Sequence, residues 1–301
     1  MTSIAVLDAP TNLGLRMPAP GVVPGCYKLA GAVRDQGLLT RIGARDAGYV
    51  VPPRYDISGW TAGDGIYHGD AVAEYTRRLA GRIAGLLDGG EFPVLLGGDC
   101  SILLASMLAL RPRGRFGLAY LDGSADFLRL AQAGRIGAAA GETLALVTGR
   151  GQADVTDIDG MGPYVQDQDI VVLGNRSDDE DVANLADAGI ACWTSPRIQA
   201  DGPAVVAART LARFDGLAGF WVHLDADVLD IDVLPAVDAP DPGGLRYPEL
   251  IELLRPLLAD DRCAGFQLTI FDPDLDPDGR YAAELTDAVV TAFEARISGT
   301  G

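Results

Sequence analysis

The sequence predicts an α/β fold: a three-layer sandwich around a mostly parallel sheet, with residues 1–301 read as one domain. Two patterns carry that expectation. Apolar runs of strand length alternate with longer amphipathic segments, and strands that alternate with helices give a parallel sheet covered on both faces. The acidic motifs all fall just past the C-terminal ends of expected strands, where open parallel sheets bind ligands.

Ile4–Leu7 is the first expected strand, followed by a Pro- and Gly-rich loop from Ala9 to Gly25. Loops of that length are commonly functional. A helix is expected over Cys26–Leu38, then an irregular stretch over Tyr49–Tyr75, rich in Gly, Pro and Asp. An amphipathic helix is expected over Ala71–Leu87, with Ala73, Leu79, Ile83 and Leu86 on or near one face. From there the alternation is regular. Strand Phe92–Leu96 leads to GGDCS and helix Ile102–Leu110, and strand Gly117–Leu121 leads to DGSADF. A short helix over Glu142–Thr148 precedes strand Ile170–Leu173, the run GNRSDDED and a helix near Val182–Ala188. Helix Ala204–Phe214, strand Phe220–Leu224, helix Pro248–Leu258, strand Phe266–Ile270 and helix Ala282–Ala295 complete the reading.

Composition narrows the function. At 48% hydrophobic, 301 residues suffice for one large core or two small ones. A net charge of −18 repels nucleic acid and anionic lipid, so neither is an expected partner. A cationic small molecule or a metal ion fits better, although surface solvation accounts for most such charge. No apolar run reaches the length of a membrane span. The stretch MTSIAVLDAP lacks a basic region and reads as a strand rather than a signal peptide. Cys26, Cys100, Cys192 and Cys263 are widely spread without a CxxC pair, which reads as a reduced, cytoplasmic chain.

The segment WVHLDADVLDID, Trp221 to Asp232, concentrates the chemistry. In a strand of period two, His223, Asp225 and Asp227 share a face. Adjacent carboxylates at the end of an apolar strand repel and lose solvation, and hard cations such as Mn, Mg or Ca relieve both effects. The competing reading is a strand running out into a solvated acidic loop. It accounts for Asp230 and Asp232 better than for Asp225.

Three strand ends then act together: GGDCS with Asp99, Cys100 and Ser101; DGSADF with Asp122, Ser124 and Asp126; and DADVLD with Asp225, Asp227 and Asp230. Their order and spacing resemble the ureohydrolase family of arginase, agmatinase and formimidoylglutamase, over nearly the whole chain. That family carries GGDHS, DAHxD and SxDxDxxDP on one α/β domain. VDAPDPGGL, Val237 to Leu245, resembles the Pro- and Gly-rich stretch that follows its third motif. The resemblance implies an arginase-like fold, hydrolysis of a C–N bond in a linear amidine or guanidine, and a binuclear Mn site. It also implies a homo-oligomer. Carried over, Asp122 and Asp225 would bridge the ions, Asp126 and the Cys100 position would serve one, and Asp227 and the Ser124 position the other. Asp126 or Asp227 would take a proton from the attacking water.

The departures are specific. Cys100 and Ser124 stand where the family has its ligand histidines, and Ala140 where arginases carry a proton-shuttling histidine. Ile270 falls near the glutamate that holds a guanidinium, and Ala239 replaces a threonine. The chain has two histidines in all, His68 and His223. The expectation is therefore a weakened site holding at most one tightly bound divalent ion among Asp122, Asp126, Asp225 and Asp227, with Cys100 close by. Cys100 reads either as a thiolate ligand or as a small buried hydrophobe. Ser124 reads as a turn cap or a water-holding group, and Asp99 as a capping group or a support behind the ligands. His223 lies about 7 Å behind Asp225 along the strand and reads as a satisfied core histidine, His68 as exposed. The run Ser177–Asp181 reads as a helix cap with first-turn acids, or as acids at the mouth of the crevice. Gly97 and Gly98 read as a tight strand-to-loop turn.

Overall fold

The computed structural model describes residues 2–127, 137–179 and 181–298. Its strands are β1 (Ile4–Asp8), β2 (Arg45–Tyr49), β3 (Phe92–Leu96), β4 (Phe116–Leu121), β5 (Ile170–Leu173), β6 (Ala191–Trp193), β7 (Gly219–Asp225) and β8 (Cys263–Thr269). They form one sheet in the order β2-β1-β3-β8-β7-β4-β5-β6. Every neighbouring pair is parallel, where the sequence predicted a mostly parallel sheet.

The strand period sorts side chains onto two buried faces, each covered by helices. Val94, Leu96, Ala119, Leu121, Val222 and Leu224 enter one apolar cluster. Leu95, Leu118, Tyr120 and Trp221 enter the other. Each large apolar side chain so buried contributes about 1.5–3 kcal/mol, which is why runs such as FPVLL settle in the sheet interior.

The expected elements differ from the structure at the margins. β2 and β6 were not expected; both are edge strands, one with exposed residues, the other three residues long and half-buried. Edge strands carry little apolar pattern. The helix expected over Cys26–Leu38 is broken into a 3-10 turn, Gly25–Lys28, and helices Leu29–Asp35 and Leu38–Arg41. Gly37 between them takes φ 78°, a left-handed conformation that ends a helix. A further helix, Ser195–Asp201, also escaped the pattern.

The four adjacent central strands, β3, β8, β7 and β4, bring Cys100, Thr269, Asp225 and Asp122 to one end of the sheet. The glycines after β3 serve close approach rather than a turn of unusual φ. A Cβ on Gly98 would lie 1.6 Å from the Thr11 carbonyl oxygen, and one on Gly97 2.9 Å from that of Leu268. Among the described residues no helix is long and apolar enough to cross a membrane.

Candidate active site

Two turns build the crevice. After β4, Asp122 Oδ1 accepts the Ser124 N–H at 2.8 Å, and the Ser124 hydroxyl donates to Asp126 Oδ1 at 2.8 Å. Tyr120 OH donates to Asp126 Oδ2 at 2.6 Å. Ser124 therefore caps the turn, one of its two expected roles. Asp126 takes φ 47°, a left-handed conformation uncommon outside glycine, and its carbonyl accepts the Ala145 N–H.

The strand β7 stops at Asp225, which corrects the expectation that Asp227 continues its face. Ala226–Val228 forms a 3-10 turn closed by Asp225 Oδ1, which accepts the Asp227 N–H at 2.8 Å. Asp227 still turns into the crevice, where its Oδ1 accepts the Gly123 N–H at 3.0 Å and stitches the two turns together. Cys100 lies beneath, its thiol donating to Asp225 Oδ2 at 2.6 Å and its sulfur 3.2 Å from Thr269 Oγ1.

Asp122, Asp126, Asp225 and Asp227 are all buried. Burial drives each carboxyl above its ordinary range, Asp126 to about 8. At Asp122 repulsion from Asp126, Asp227 and Asp225 adds to it. Burial, then Asp225, also pushes the Cys100 thiol well up. In this arrangement Cys100 is an S–H donor, not a thiolate.

Two polar atoms stand out. Asp122 Oδ2 and His223 Nε2 are buried without a hydrogen-bond partner among the described residues, and they lie 3.9 Å apart. His223 was expected back in the core. Its Cα is indeed two residues behind Asp225, but the imidazole reaches forward to the crevice. Its other nitrogen, Nδ1, meets Gln267 at 2.7 Å, and its ring stacks on Tyr120 with centroids 4.6 Å apart. Burial lowers the His223 pKa to about 3, so the ring is neutral. One atom each from Cys100, Asp122, His223 and Asp225 falls within a 4.8 Å span.

The surrounding residues sort clearly. Asp99 is a capping group, accepting from the Gly14 and Ser101 N–H groups. Asp230 is not loosely solvated: it accepts from Asp232, Gly243 and Gly244. The helix-cap reading of Ser177–Asp181 is corrected. Asp181, at the cap position, makes no side-chain cap bond, while Asp179 accepts from Ala125 N–H at 2.7 Å and thus holds the turn after β4. Glu180 lies outside the described residues. Asp178, Asp179 and Asp241 line a cavity of about 440 Å³ with Ser124 at the crevice mouth. Another cavity of about 400 Å³ lies by Ser3, Ile42 and Arg296, at the opposite end of the strands. Cys100, Ala140 and Ile270 join one apolar cluster, Ile270 at φ 73° with its N–H donating to Gly98 O. Ala239 is exposed. His68 is partly buried, bonded through both ring nitrogens to Leu13 O and Asp56 N.

Arg176 was missed. Its guanidinium donates to the carbonyls of Asp227, Leu229 and Asp241 at 2.8–3.0 Å and braces the turn after β7. A lone arginine inside the acidic run GNRSDDED was the available signal. Tyr120 and Gln267 were missed because their roles depend on cross-strand register.

The chain is similar to known proteins over nearly its whole length. The arginase of Bacillus caldovelox is 27% identical over 286 residues, covering 94% of this chain and 95% of that protein. The N(1)-aminopropylagmatine ureohydrolase of Thermus thermophilus is 29% identical, covering 98% and 90%. In fold, the solved structure of the Bacillus caldovelox arginase superposes with a TM-score of 0.87 at 24% identity, over 98% of this chain and 99% of that one. A model of the arginase family matches residues 16–293, and the chain belongs to that family, whose members hydrolyse C–N bonds.

Proposed function

We propose that this chain is a cation-assisted hydrolase of a linear amidine or guanidine other than free arginine. One observation supports the reading: Asp122 Oδ2, a buried carboxyl oxygen with no hydrogen-bond partner among the described residues, sits among three further buried aspartates. As a charge such a group is costly unless a cation meets it; otherwise it takes up a proton.

The donor set supports one ion rather than a pair. Cys100, Asp122 and Asp225 present atoms to a common space. Both Asp126 oxygens are already taken by hydroxyls, and Asp227 is held by Gly123. Oxygen donors suit Mn, while a Cys100 that gave up its proton would favour a softer ion such as Zn. When bound, a divalent cation supplies Lewis acidity and lowers the pKa of a water so that it can attack near neutral pH. The chain does the rest. Asp126 and Asp227 are the proton acceptors, Asp126 oriented by Tyr120 and Ser124, Asp227 by Gly123. The acids at the mouth favour a cationic amidine-type molecule over an anion.

Free arginine fits poorly. Ile270 offers a guanidinium no carboxylate, and Ala140 no titratable group, the latter role being commonly worth about 10²–10⁴ in rate. A reducing, cytoplasmic location suits the four free cysteines, and assembly into a homo-oligomer is part of the same proposal. A second reading, ligand or partner binding without hydrolysis, draws on the thiol and hydroxyl donors that already satisfy Asp225 and Asp126.

The test is release of urea or ammonia from linear amidines and guanidines, with and without added Mn. Cation-dependent turnover on one of them, and little on arginine, is expected. Robust ornithine formation from arginine would contradict the substrate reading. Metal-free protein that binds an amidine tightly and never turns it over would favour the second.

A further inference from the structure

We propose that His223 is a positioning residue and not a metal ligand: a neutral imidazole whose proton sits on Nε2, aimed at Asp122 Oδ2, with the tautomer imposed by Gln267. The inference rests on reading Asp122 as the cation's carboxylate, but its first half stands on hydrogen-bond donors alone.

Trp221 fixes the orientation of the Gln267 amide, because its indole N–H can only donate. It lies 2.9 Å from one atom of the Gln267 amide, and Ser106 Oγ lies 2.7 Å from the same atom. That atom must be the oxygen. The amide NH₂ therefore faces His223 Nδ1 at 2.7 Å, and Nδ1 must accept. A neutral imidazole that accepts at Nδ1 carries its proton at Nε2. The register explains the placement. Tyr120, His223 and Gln267 are direct cross-strand partners on β4, β7 and β8, and Asp225 pairs with Thr269 one step on. Stacking on Tyr120 keeps the ring in its plane.

Two consequences follow for the site. An Nε2 that holds a proton has no lone pair for a metal, so its nearness to Cys100, Asp122 and Asp225 does not make it a ligand. To ligate, His223 would have to move its proton to Nδ1, against the NH₂ of Gln267. Second, a carboxylate oxygen has room for more than one partner. A shift of about 1 Å brings the 3.9 Å gap to hydrogen-bonding distance, which lets His223 hold Asp122 while a cation takes the remaining lone pair. The donor also keeps His223 out of base catalysis, leaving the proton to Asp126 or Asp227.

Only two histidines are present, and their expected tautomers are opposite. His68 donates from Nδ1 to Leu13 O and accepts at Nε2 from Asp56 N–H. Long-range ¹⁵N–¹H correlation on ¹⁵N-histidine-labelled, metal-free protein above neutral pH reads both, and a His68→Asn variant assigns them. We expect a bare Nδ1 and a protonated Nε2 for His223, unchanged when Zn²⁺, the diamagnetic probe, is added. Gln267→Glu supplies an acceptor at Nδ1. It should move the proton there, free Nε2, and tighten Zn²⁺ binding by about tenfold or more, the usual leverage of a group that orients a ligand. A protonated Nδ1 in the wild-type protein, or loss of the Nε2 proton on Zn²⁺ addition, would overturn the proposal. Failure of the wild type to bind Zn²⁺ or Mn²⁺ would overturn the cation reading and the hold on a metal-bound Asp122; metal content reads that separately from the tautomer.

Discussion

Asp122 and Asp230 follow neighbouring parallel strands and came from similar-looking acidic motifs, yet the structure treats them oppositely. Asp230 accepts three backbone N–H groups, at 2.9, 2.7 and 3.2 Å, and ties Gly243 and Gly244 to the turn after β7. Burial pushes its pKa up, but those three donors outweigh it and leave the group below the ordinary range. Asp122 accepts one backbone N–H, leaves its second oxygen without a hydrogen-bond partner among the described residues, and is driven well above that range. An acid whose hydrogen bonds are complete is part of the scaffold. One buried with an open valence stays high in energy as a charge until a proton or a cation meets it.

Mutations can sharpen this contrast. The largest effect is expected on turnover. Asp126→Asn or Asp227→Asn should slow hydrolysis of any amidine substrate by about 10²–10⁴-fold, the range for a lost proton acceptor, while Asp230→Asn leaves it near wild type. Steady-state rates at saturating Mn check this, and an unimpaired Asp227→Asn with an unimpaired Asp126→Asn would remove both as acceptors. Next in size, Asp122→Asn should stabilise the metal-free protein by about 1–3 kcal/mol, because it removes an acid that burial and its neighbouring aspartates destabilise. Asp230→Ala should act in the other direction and cost about 1–2 kcal/mol, since three donors lose their acceptor. Urea unfolding with a chelator present measures both, and the same sign for the two would break the comparison.

The smallest effect concerns pH. A carboxyl whose folded pKa is depressed contributes stability above its unfolded value and loses it as pH falls through the folded value. Asp230 is such a group, so Asp230→Asn should flatten the loss of stability on the acid side, below the ordinary carboxylate range. Thermal unfolding at a series of acid pH values reads it; an unchanged acid limb would mean that the Asp230 staple persists in the unfolded chain.

How much of this the sequence revealed follows the same division. β3, β4 and β7 were legible because unbroken apolar runs have no other place than a sheet interior. β2 and β6 were not, because edge strands that are half-exposed carry no such run. The motifs around Cys100, Asp122 and Asp225 were legible as strand ends, and period two placed His223 on the face of Asp225. The period misplaced Asp227, because a strand pattern cannot show that the strand stops at Asp225 and a turn begins. The bonds that decide the state of the site were beyond reach. Tyr120 to Asp126, Trp221 and Ser106 to Gln267, and Arg176 to the turn after β7 depend on register across strands or on residues far apart in the chain. Side-chain chemistry alone named the candidates, and pairing decided which were satisfied.

The most direct test of the cation site is metal stoichiometry. Protein stripped with a chelator and dialysed against Mn²⁺, and separately Zn²⁺, is assayed for bound metal per chain in the wild type, Asp122→Asn and Asp230→Asn. One ion per chain in the wild type and Asp230→Asn, and none in Asp122→Asn, is the predicted result. Two ions per wild-type chain would show that the pair survives without its imidazoles. None, or retention in Asp122→Asn, would contradict the assignment of Asp122 as the carboxylate that meets the cation.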